Sequence, residues 1–161
     1  MKPSPAGWPR ISTALIYEDP RAAIDWLCKA FGFEIRLLVE TGDGGLAHSE
    51  LVYGDGVIMV SGEDARPYFR SPARAGGCTQ TLQVYVDDVE AHCAQARAAG
   101  ATIAEELKTT EYGADYWSDR SYGAVDCGGH HWWFTQRLVT GDPRWSDVRN
   151  KIDRHDREPK R

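Results

Sequence analysis

Several features that would assign a function at once are missing from this sequence. The four cysteines are scattered and form no Cys-x-x-Cys pair, so neither a zinc ribbon nor a thiol-redox motif is present. No apolar run approaches the roughly 20 residues of a membrane span. The net charge is -5 and there is no basic stripe to neutralise phosphates, so we expect no nucleic-acid and no membrane partner. Residues 1–5 lack the apolar core of a signal peptide, which favours a cytoplasmic protein with reduced thiols.

The length of 161 residues and a hydrophobic content of 42% are typical of one globular domain. Residues 1–9 contain three prolines and are predicted to be an extended lead-in. Residues 10–137 carry the ordered pattern and form the predicted domain. Residues 138–161 are predicted to be a charged tail, with a turn at Asp142-Pro143.

Alternation and capping signals predict the elements of the first half. Asp19 and Pro20 are typical of a helix start, and Gly32 is typical of a helix end, so a helix is predicted over 21–30. Strands are predicted over 10–17, 33–40, 46–53 and 57–61. The segment Glu63 to Gly77 is predicted to be a surface linker anchored by Tyr68 and Phe69, or alternatively a lid over a pocket.

The second half repeats this order. A strand is predicted over 79–86, then a helix that starts at Asp87-Asp88 and ends at Gly100, a strand over 101–107 and a loop over 108–114. The hairpin that follows turns at Asp126 to Gly129, where Asp-x-Gly-Gly suits a tight turn. Alternation places His131, Trp133 and Thr135 on one face of its second strand and His130, Trp132 and Phe134 on the other.

The halves align as an internal repeat at one constant spacing, with Asp87 on Asp19 and Gly100 on Gly32. Each unit reads strand, helix, then three strands. We therefore predict an α+β fold of two βαβββ modules, 10–62 and 78–137, whose curved sheets carry the helices outside and face a shared pocket.

Two modules of this kind resemble the vicinal oxygen chelate superfamily, also called the glyoxalase/bleomycin-resistance/dioxygenase superfamily. The resemblance rests on four stretches: Asp19 to Phe33, Ala47 to Asp55, Val86 to Val89, and Trp117 to Arg120 continuing through Gly129 to Trp132. Gly-His-x-Trp after the last turn is similar to a branch of glyoxalase-like proteins. The resemblance implies a homodimer.

The resemblance also implies where a metal would sit. The four ligand positions of metal-using relatives fall near Ser12 and on Glu50, Thr81 and Trp133. Only Glu50 is a good ligand, whereas a catalytic divalent ion typically needs about three protein ligands. We expect no metal and no other cofactor. His48, Glu50 and His131 remain an alternative ligand set. His130 is expected to be satisfied near the helix, and His92 and His155 to be solvated.

If this fold is right, the pocket has an aromatic wall and a few polar groups, which suits a small organic ligand. Trp133 in the metal position offers a stacking surface. The predicted ligand-binding residues are Ser12, His48, Glu50, Thr81, Gln83, Tyr85, Trp117, His131 and Trp133. The alternative is that the tryptophans fill the core and leave no cavity.

These residues lead to a functional hypothesis and its alternatives. The first is metal-independent binding, by sequestration, of a small and partly aromatic molecule. The second is a lyase, isomerase or dioxygenase that uses an unusual metal set, or Glu50 as a base whose pKa is raised in an apolar cavity. The third is a structural or regulatory module. Asp119 and Arg120 are expected to form a structural ion pair beside the hairpin.

Overall fold

The computed structural model describes residues 2–113 and 117–140, so Tyr116, His155 and the turn predicted at Asp142-Pro143 lie outside the described residues. The strands of this part are β1 Thr13–Tyr17, β2 Glu34–Glu40, β3 Leu46–Tyr53, β4 Gly56–Gly62, β5 Thr81–Tyr85, β6 Thr102–Glu111, β7 Ser118–Val125 and β8 His131–Val139. The helices are α1 Pro20–Phe31, α2 Pro72–Ala75 and α3 Val89–Ala98, with a 3-10 turn at Glu63–Ala65. None of the helices in these ranges is long and apolar enough to cross a membrane.

The strands form two four-stranded sheets with the same connectivity. The first sheet has the order β1-β4-β3-β2 and the second has the order β5-β8-β7-β6. The outer strand β1 runs parallel to β4, and β5 runs parallel to β8, while the remaining pairs are antiparallel. This arrangement confirms the predicted α+β fold of two βαβββ modules.

Local capping explains where the main helices begin. The Asp19 carboxylate accepts a hydrogen bond from the Ala22 amide at 3.0 Å, and Pro20 occupies the first helical position. Gly32 ends α1 with a φ of 74°, which a residue with a side chain would rarely adopt. Asp88 caps α3 in the same way as Asp19 caps α1. Both predicted helix starts are confirmed.

The loop predicted over 108–114 is wrong in its first half, because β6 continues to Glu111. Thr109 pairs with Arg120, and Thr110 pairs with Asp119. A long antiparallel partner supplies these residues with backbone hydrogen bonds, and β-branched threonines suit an extended strand. The length of β6 is therefore set by β7 rather than by any local signal.

The two modules share one core, in which α1 and α3 lie side by side. Trp26 donates its indole N–H to the Ala99 carbonyl at 3.1 Å, and Gln95 donates to the Lys29 carbonyl at 2.9 Å. The ring of Phe31 in α1 lies 4.6 Å from the ring of Phe134 in β8. The modules are thus joined by buried aromatic packing as well as by hydrogen bonds.

His92 belongs to this core, so the prediction that it is solvated is wrong. It donates from Nε2 to the Phe31 carbonyl at 3.1 Å, and its Nδ1 accepts from the Tyr122 hydroxyl at 2.7 Å. His92 lies on the buried side of α3 with Val89, Cys93 and Ala96, the helical spacing that faces a sheet. A partner on each ring nitrogen is what allows the imidazole to be buried.

Each sheet has a helix face, covered by α1 or α3, and an opposite side that we call the open face. Trp132 and Phe134 lie on the helix face of the second sheet and are fully buried. Trp133 lies on the open face and remains 37% exposed. The predicted split of the two tryptophans between faces is confirmed, so only Trp132 fills the core.

Candidate functional site

The candidate site is the open face of the second sheet, where β5 and β8 run side by side. Thr81 pairs with His131, Gln83 with Trp133, and Tyr85 with Thr135. Since paired residues project to the same side of a sheet, the five predicted residues Thr81, Gln83, Tyr85, His131 and Trp133 are brought together. Tyr85 is 53% exposed, so water reaches both of the large rings on this face.

Arg137 extends the site, although it was not among the predicted site residues. Its guanidinium pairs with Asp119 and donates from Nη2 to the Tyr85 hydroxyl at 2.8 Å. The Arg137 guanidinium carbon also lies 5.5 Å from the centre of the Tyr85 ring and 5.1 Å from the centre of the Trp117 ring. Continuing the alternation of β8 from His131 and Trp133 would have found Arg137 on this face.

The expected pair of Asp119 and Arg120 is wrong. Asp119 pairs across the hairpin with Arg137, which lies opposite it in β8. Arg120 projects to the other side and binds Glu90 of α3 at 2.9 Å. Adjacent residues in a strand point to opposite faces, so their opposite charges cannot meet as easily as those of cross-strand neighbours.

The other predicted site residues lie on the first sheet. His48 and Glu50 project from the open face of β3, with 3.0 Å between His48 Nε2 and Glu50 Oε1. Arg36 of β2 donates from Nε to Glu50 Oε2 at 2.7 Å. Ser12 is exposed and lies one residue before β1, outside the ladder that begins at Thr13.

This setting contradicts the raised pKa predicted for Glu50. The hydrogen bond with His48 lowers the pKa of Glu50 below its ordinary value. The hydrogen bond from Arg36 and its positive charge lower this pKa further, although burial acts in the opposite direction. Arg36 was not among the predicted site residues, because a β-bulge lies between Ile35 and Leu37. A bulge shifts the alternation by one residue, which no local pattern in β2 indicates.

The lead-in lies against Arg36, the partner of Glu50. Arg36 donates from Nη1 to the Gly7 carbonyl at 2.5 Å, and its guanidinium carbon lies 4.4 Å from the centre of the Trp8 ring. The side chain of Glu50 itself is 11% exposed. The open face of the first sheet is thus partly closed by the chain's own residues.

The structure does not assemble the alternative metal set. His48 and Glu50 lie on the first sheet and His131 lies on the second. Within residues 2–113 and 117–140, no group of three His, Cys, Asp or Glu side chains is placed to hold a metal ion. The donors predicted to act together are therefore separated in the single chain.

A cleft of about 700 Å³ lies between the start of α1, α2 and the turn between β7 and β8. Its floor is organised by Asp126, which accepts hydrogen bonds from the Tyr17 hydroxyl at 2.6 Å and from the Trp132 indole at 2.9 Å. Cys127 lines this cleft, and burial raises the pKa of its thiol to about 11. The thiol therefore stays protonated near neutral pH and is a weak nucleophile.

The segment between the modules has structure of its own. Glu63 accepts a hydrogen bond from the Ser71 amide at 2.8 Å and forms an ion pair with Arg74 at 2.9 Å. The expected anchoring by Tyr68 is wrong, because that ring is 74% exposed. The segment lines a cavity of about 220 Å³ together with Ile16 of β1, and its action as a lid stays a prediction.

His130 borders the same cavity and is only half satisfied. Its Nε2 donates to the Ile16 carbonyl at 2.9 Å. Its Nδ1 is buried and has no hydrogen-bond partner among the residues that the structure describes. The prediction that His130 is a satisfied histidine therefore holds for one ring nitrogen only.

With this geometry established, comparison with known proteins identifies the family. A model of the glyoxalase/bleomycin resistance protein/dioxygenase superfamily matches residues 11–134, and the chain belongs to this superfamily. An uncharacterised protein of Mycobacterium tuberculosis (strain ATCC 25618 / H37Rv) is 34% identical over 130 residues, which cover 77% of this chain and 72% of the relative. The predicted family is confirmed.

Solved structures give the same result. The fold is similar to that of TioX from Micromonospora sp. ML1, with a TM-score of 0.64 and 35% identity, covering 81% of this chain and 99% of TioX. A glyoxalase/bleomycin resistance protein from Streptomyces sp. CB03234 has a TM-score of 0.58 and 19% identity, covering 78% of this chain and 97% of that protein. The second likeness concerns the fold alone.

Proposed function

We propose that this protein binds a small, partly aromatic organic molecule on the open face of the second sheet and acts by sequestration. The observation that carries the proposal is the pairing of β5 with β8, which places Tyr85 and Trp133 on one solvent-facing surface beside Gln83 and His131. Large rings beside a few polar groups suit a flat ligand oriented by hydrogen bonds. Membership of a superfamily that includes bleomycin resistance proteins supports this proposal.

A second copy of the chain completes the proposed site. A drug-sized ligand usually buries most of its surface, roughly 70–90%, and one sheet face covers only one side of it. The open face of the first sheet exposes Leu37 and Val39, which lie opposite Glu50 and His48. We propose a homodimer in which Leu37 and Val39 of one copy cover the open face of the second sheet, which carries Tyr85 and Trp133, in the other copy. Light scattering on the purified protein tests it, and a monomer at micromolar concentration contradicts it.

The enzyme hypothesis loses its proposed base in this structure. Glu50 is paired with both Arg36 and His48, which stabilise its ionised form and leave it a weak acceptor of protons. A general base works best when its pKa lies near the working pH, and the pKa of Glu50 is displaced the other way. The geometry favours binding over proton transfer at this residue.

The proposal predicts that Trp133→Ala weakens the binding of aromatic molecules. Two fluorescent probes with the same rings serve as test ligands, anilinonaphthalene sulfonate and uncharged N-phenylnaphthylamine. Loss of one stacking ring is expected to lower the affinity for at least one probe about tenfold, since a stacked aromatic pair contributes up to about 1.5 kcal/mol beyond the area that it buries. Fluorescence titration measures the affinity.

Ile11→Ala is the matched control, because Ile11 is an exposed apolar residue outside both sheets. The control should leave the affinities for both probes within about twofold of wild type, as expected for a residue away from the site. Equal affinities in wild type and Trp133→Ala would contradict the proposed site.

A further inference from the structure

Arg137 is held in one position by the groups around it. Its Nε pairs with Asp119, and its Nη2 reaches both Tyr85 Oη and Asp119 Oδ2. The rings of Tyr85 and Trp117 both lie at cation–π distance from its guanidinium carbon. A guanidinium fixed in this way has already lost the side-chain freedom that a ligand would otherwise have to remove.

One edge of this guanidinium has no partner within residues 2–113 and 117–140. Among the described residues, no hydrogen bond or ion pair engages Nη1 of Arg137. The side chain is 33% exposed, so a molecule lying on the open face can reach it. Two N–H donors of a charged group are thus available at the end of the aromatic surface.

The position of Arg137 relates it to the stacking residues. Arg137 and Trp133 project to the same side of β8, four residues apart, which corresponds to about 13 Å along a strand. Tyr85 lies between them on the neighbouring strand, opposite Thr135. A molecule of two or three fused rings on Tyr85 and Trp133 would extend one end toward Arg137.

We propose that the ligand of this site carries an anionic oxygen group, a carboxylate or sulfonate, which Arg137 binds through its unused N–H donors. This inference rests on the proposed function and adds the chemical class of the ligand. Hydrogen bonds from a guanidinium to an anionic oxygen are about twice as strong as neutral ones. Asp119 balances the charge of Arg137 and the whole chain is at -5, so recognition is local and directional rather than long-range attraction.

The experiment compares Arg137→Met with wild type on the two probes, which differ in the sulfonate alone. Wild type is expected to bind anilinonaphthalene sulfonate about tenfold more tightly than N-phenylnaphthylamine, because a hydrogen bond to a charged group contributes on the order of 1.5 kcal/mol or more. Arg137→Met should lose this preference and keep its affinity for the uncharged probe. Arg97→Met is the control, since Arg97 pairs with Glu106 at an exposed position on α3.

Arg137→Lys is a second variant, needed because Arg137→Met leaves the buried Asp119 without a positive partner and can therefore impair folding. The lysine variant keeps a positive charge beside Asp119 and loses the planar fork, so it should also lose most of the preference for the sulfonate. Equal preference in wild type and both variants would overturn the inference. If Trp133→Ala weakens both probes while Arg137→Met changes nothing, the proposed function stands and the ligand class is wrong.

Discussion

At the scale of single residues, Asp126 connects parts of the chain that are far apart in sequence. Besides Tyr17 and Trp132, its carboxylate accepts from the backbone amides of Gly128 and His130, each at 2.9 Å. These bonds fasten β1 of the first module to the β7–β8 turn of the second. Gly128 is required there, because a Cβ at that position would lie 2.3 Å from a Tyr17 ring carbon.

Tyr17→Phe is expected to lower the free energy of unfolding by about 1–3 kcal/mol, the usual cost of removing one partner from a buried polar group. Urea denaturation followed by fluorescence measures it. Tyr68→Phe is the matched control, because the Tyr68 ring is exposed, and it should change stability by less than about 0.5 kcal/mol. A Tyr17→Phe variant as stable as the control would show that this bond does not hold the modules together.

At the scale of elements, the segment between the modules depends on Glu63. The carboxylate accepts a hydrogen bond from the amide of Ser71, the N-cap residue of α2. It also forms an ion pair with Arg74, which lies within α2. The Ser71 hydrogen bonds, and after them Arg74, lower the pKa of Glu63 to about 2. A carboxyl group whose pKa is lowered by folding stabilises the fold at pH values above its ordinary pKa of 4.5. This contribution is lost as the pH falls toward 2.

Glu63→Gln is expected to raise amide hydrogen exchange across residues 66–77 at neutral pH, because α2 is too short to be stable without this contact. Exchange measured by mass spectrometry on the intact protein gives the rate in each segment. Glu106→Gln, at the exposed pair with Arg97, is the control and should leave residues 66–77 unchanged. Exchange in this segment that is equally slow in both variants would mean that Glu63 is not its anchor.

At the scale of the whole molecule, the modules meet at a core that includes a titratable group. Burial lowers the pKa of His92 from its ordinary value of 6.5, although its bond to the Phe31 carbonyl acts in the opposite direction. Between the lowered pKa of the folded protein and pH 6.5, the unfolded chain therefore binds a proton that the folded chain does not. By linkage, the free energy of unfolding falls as the pH drops from about 6.5.

We expect the His92 ring to titrate at lower pH in the folded protein than in the urea-unfolded chain, and the thermal midpoint to fall from pH 7 to pH 5. Nuclear magnetic resonance of the imidazole, assigned by comparison with His92→Gln, follows the titration directly. The Tyr122 hydroxyl and the Phe31 carbonyl face the two ring nitrogens, so the neutral ring is the form that fits. A folded His92 that titrates at or above 6.5 would contradict this account.

Local patterns along the chain are enough to predict the repeated βαβββ order and which residues of the last strand share a face. The caps at Asp19 and Asp88, the stop at Gly32 and the alternation through Trp132 and Trp133 act over a few residues, so a local pattern is sufficient to predict them. The same alternation correctly predicted that the two tryptophans lie on opposite faces, whereas the resemblance to the family assigned Trp133 to the pocket side.

Which charged groups meet depends on contacts between residues that are distant in sequence. Arg36 forms an ion pair with Glu50 because a β-bulge turns its side chain to the open face. Asp119 forms an ion pair with Arg137 across the hairpin, and Tyr17 of the first module donates a hydrogen bond to Asp126 of the second. Strand register, bulges and module packing arise from contacts between residues that are far apart in sequence. For this reason Glu50, which was predicted to be a base, is an ion-paired carboxylate with a lowered pKa.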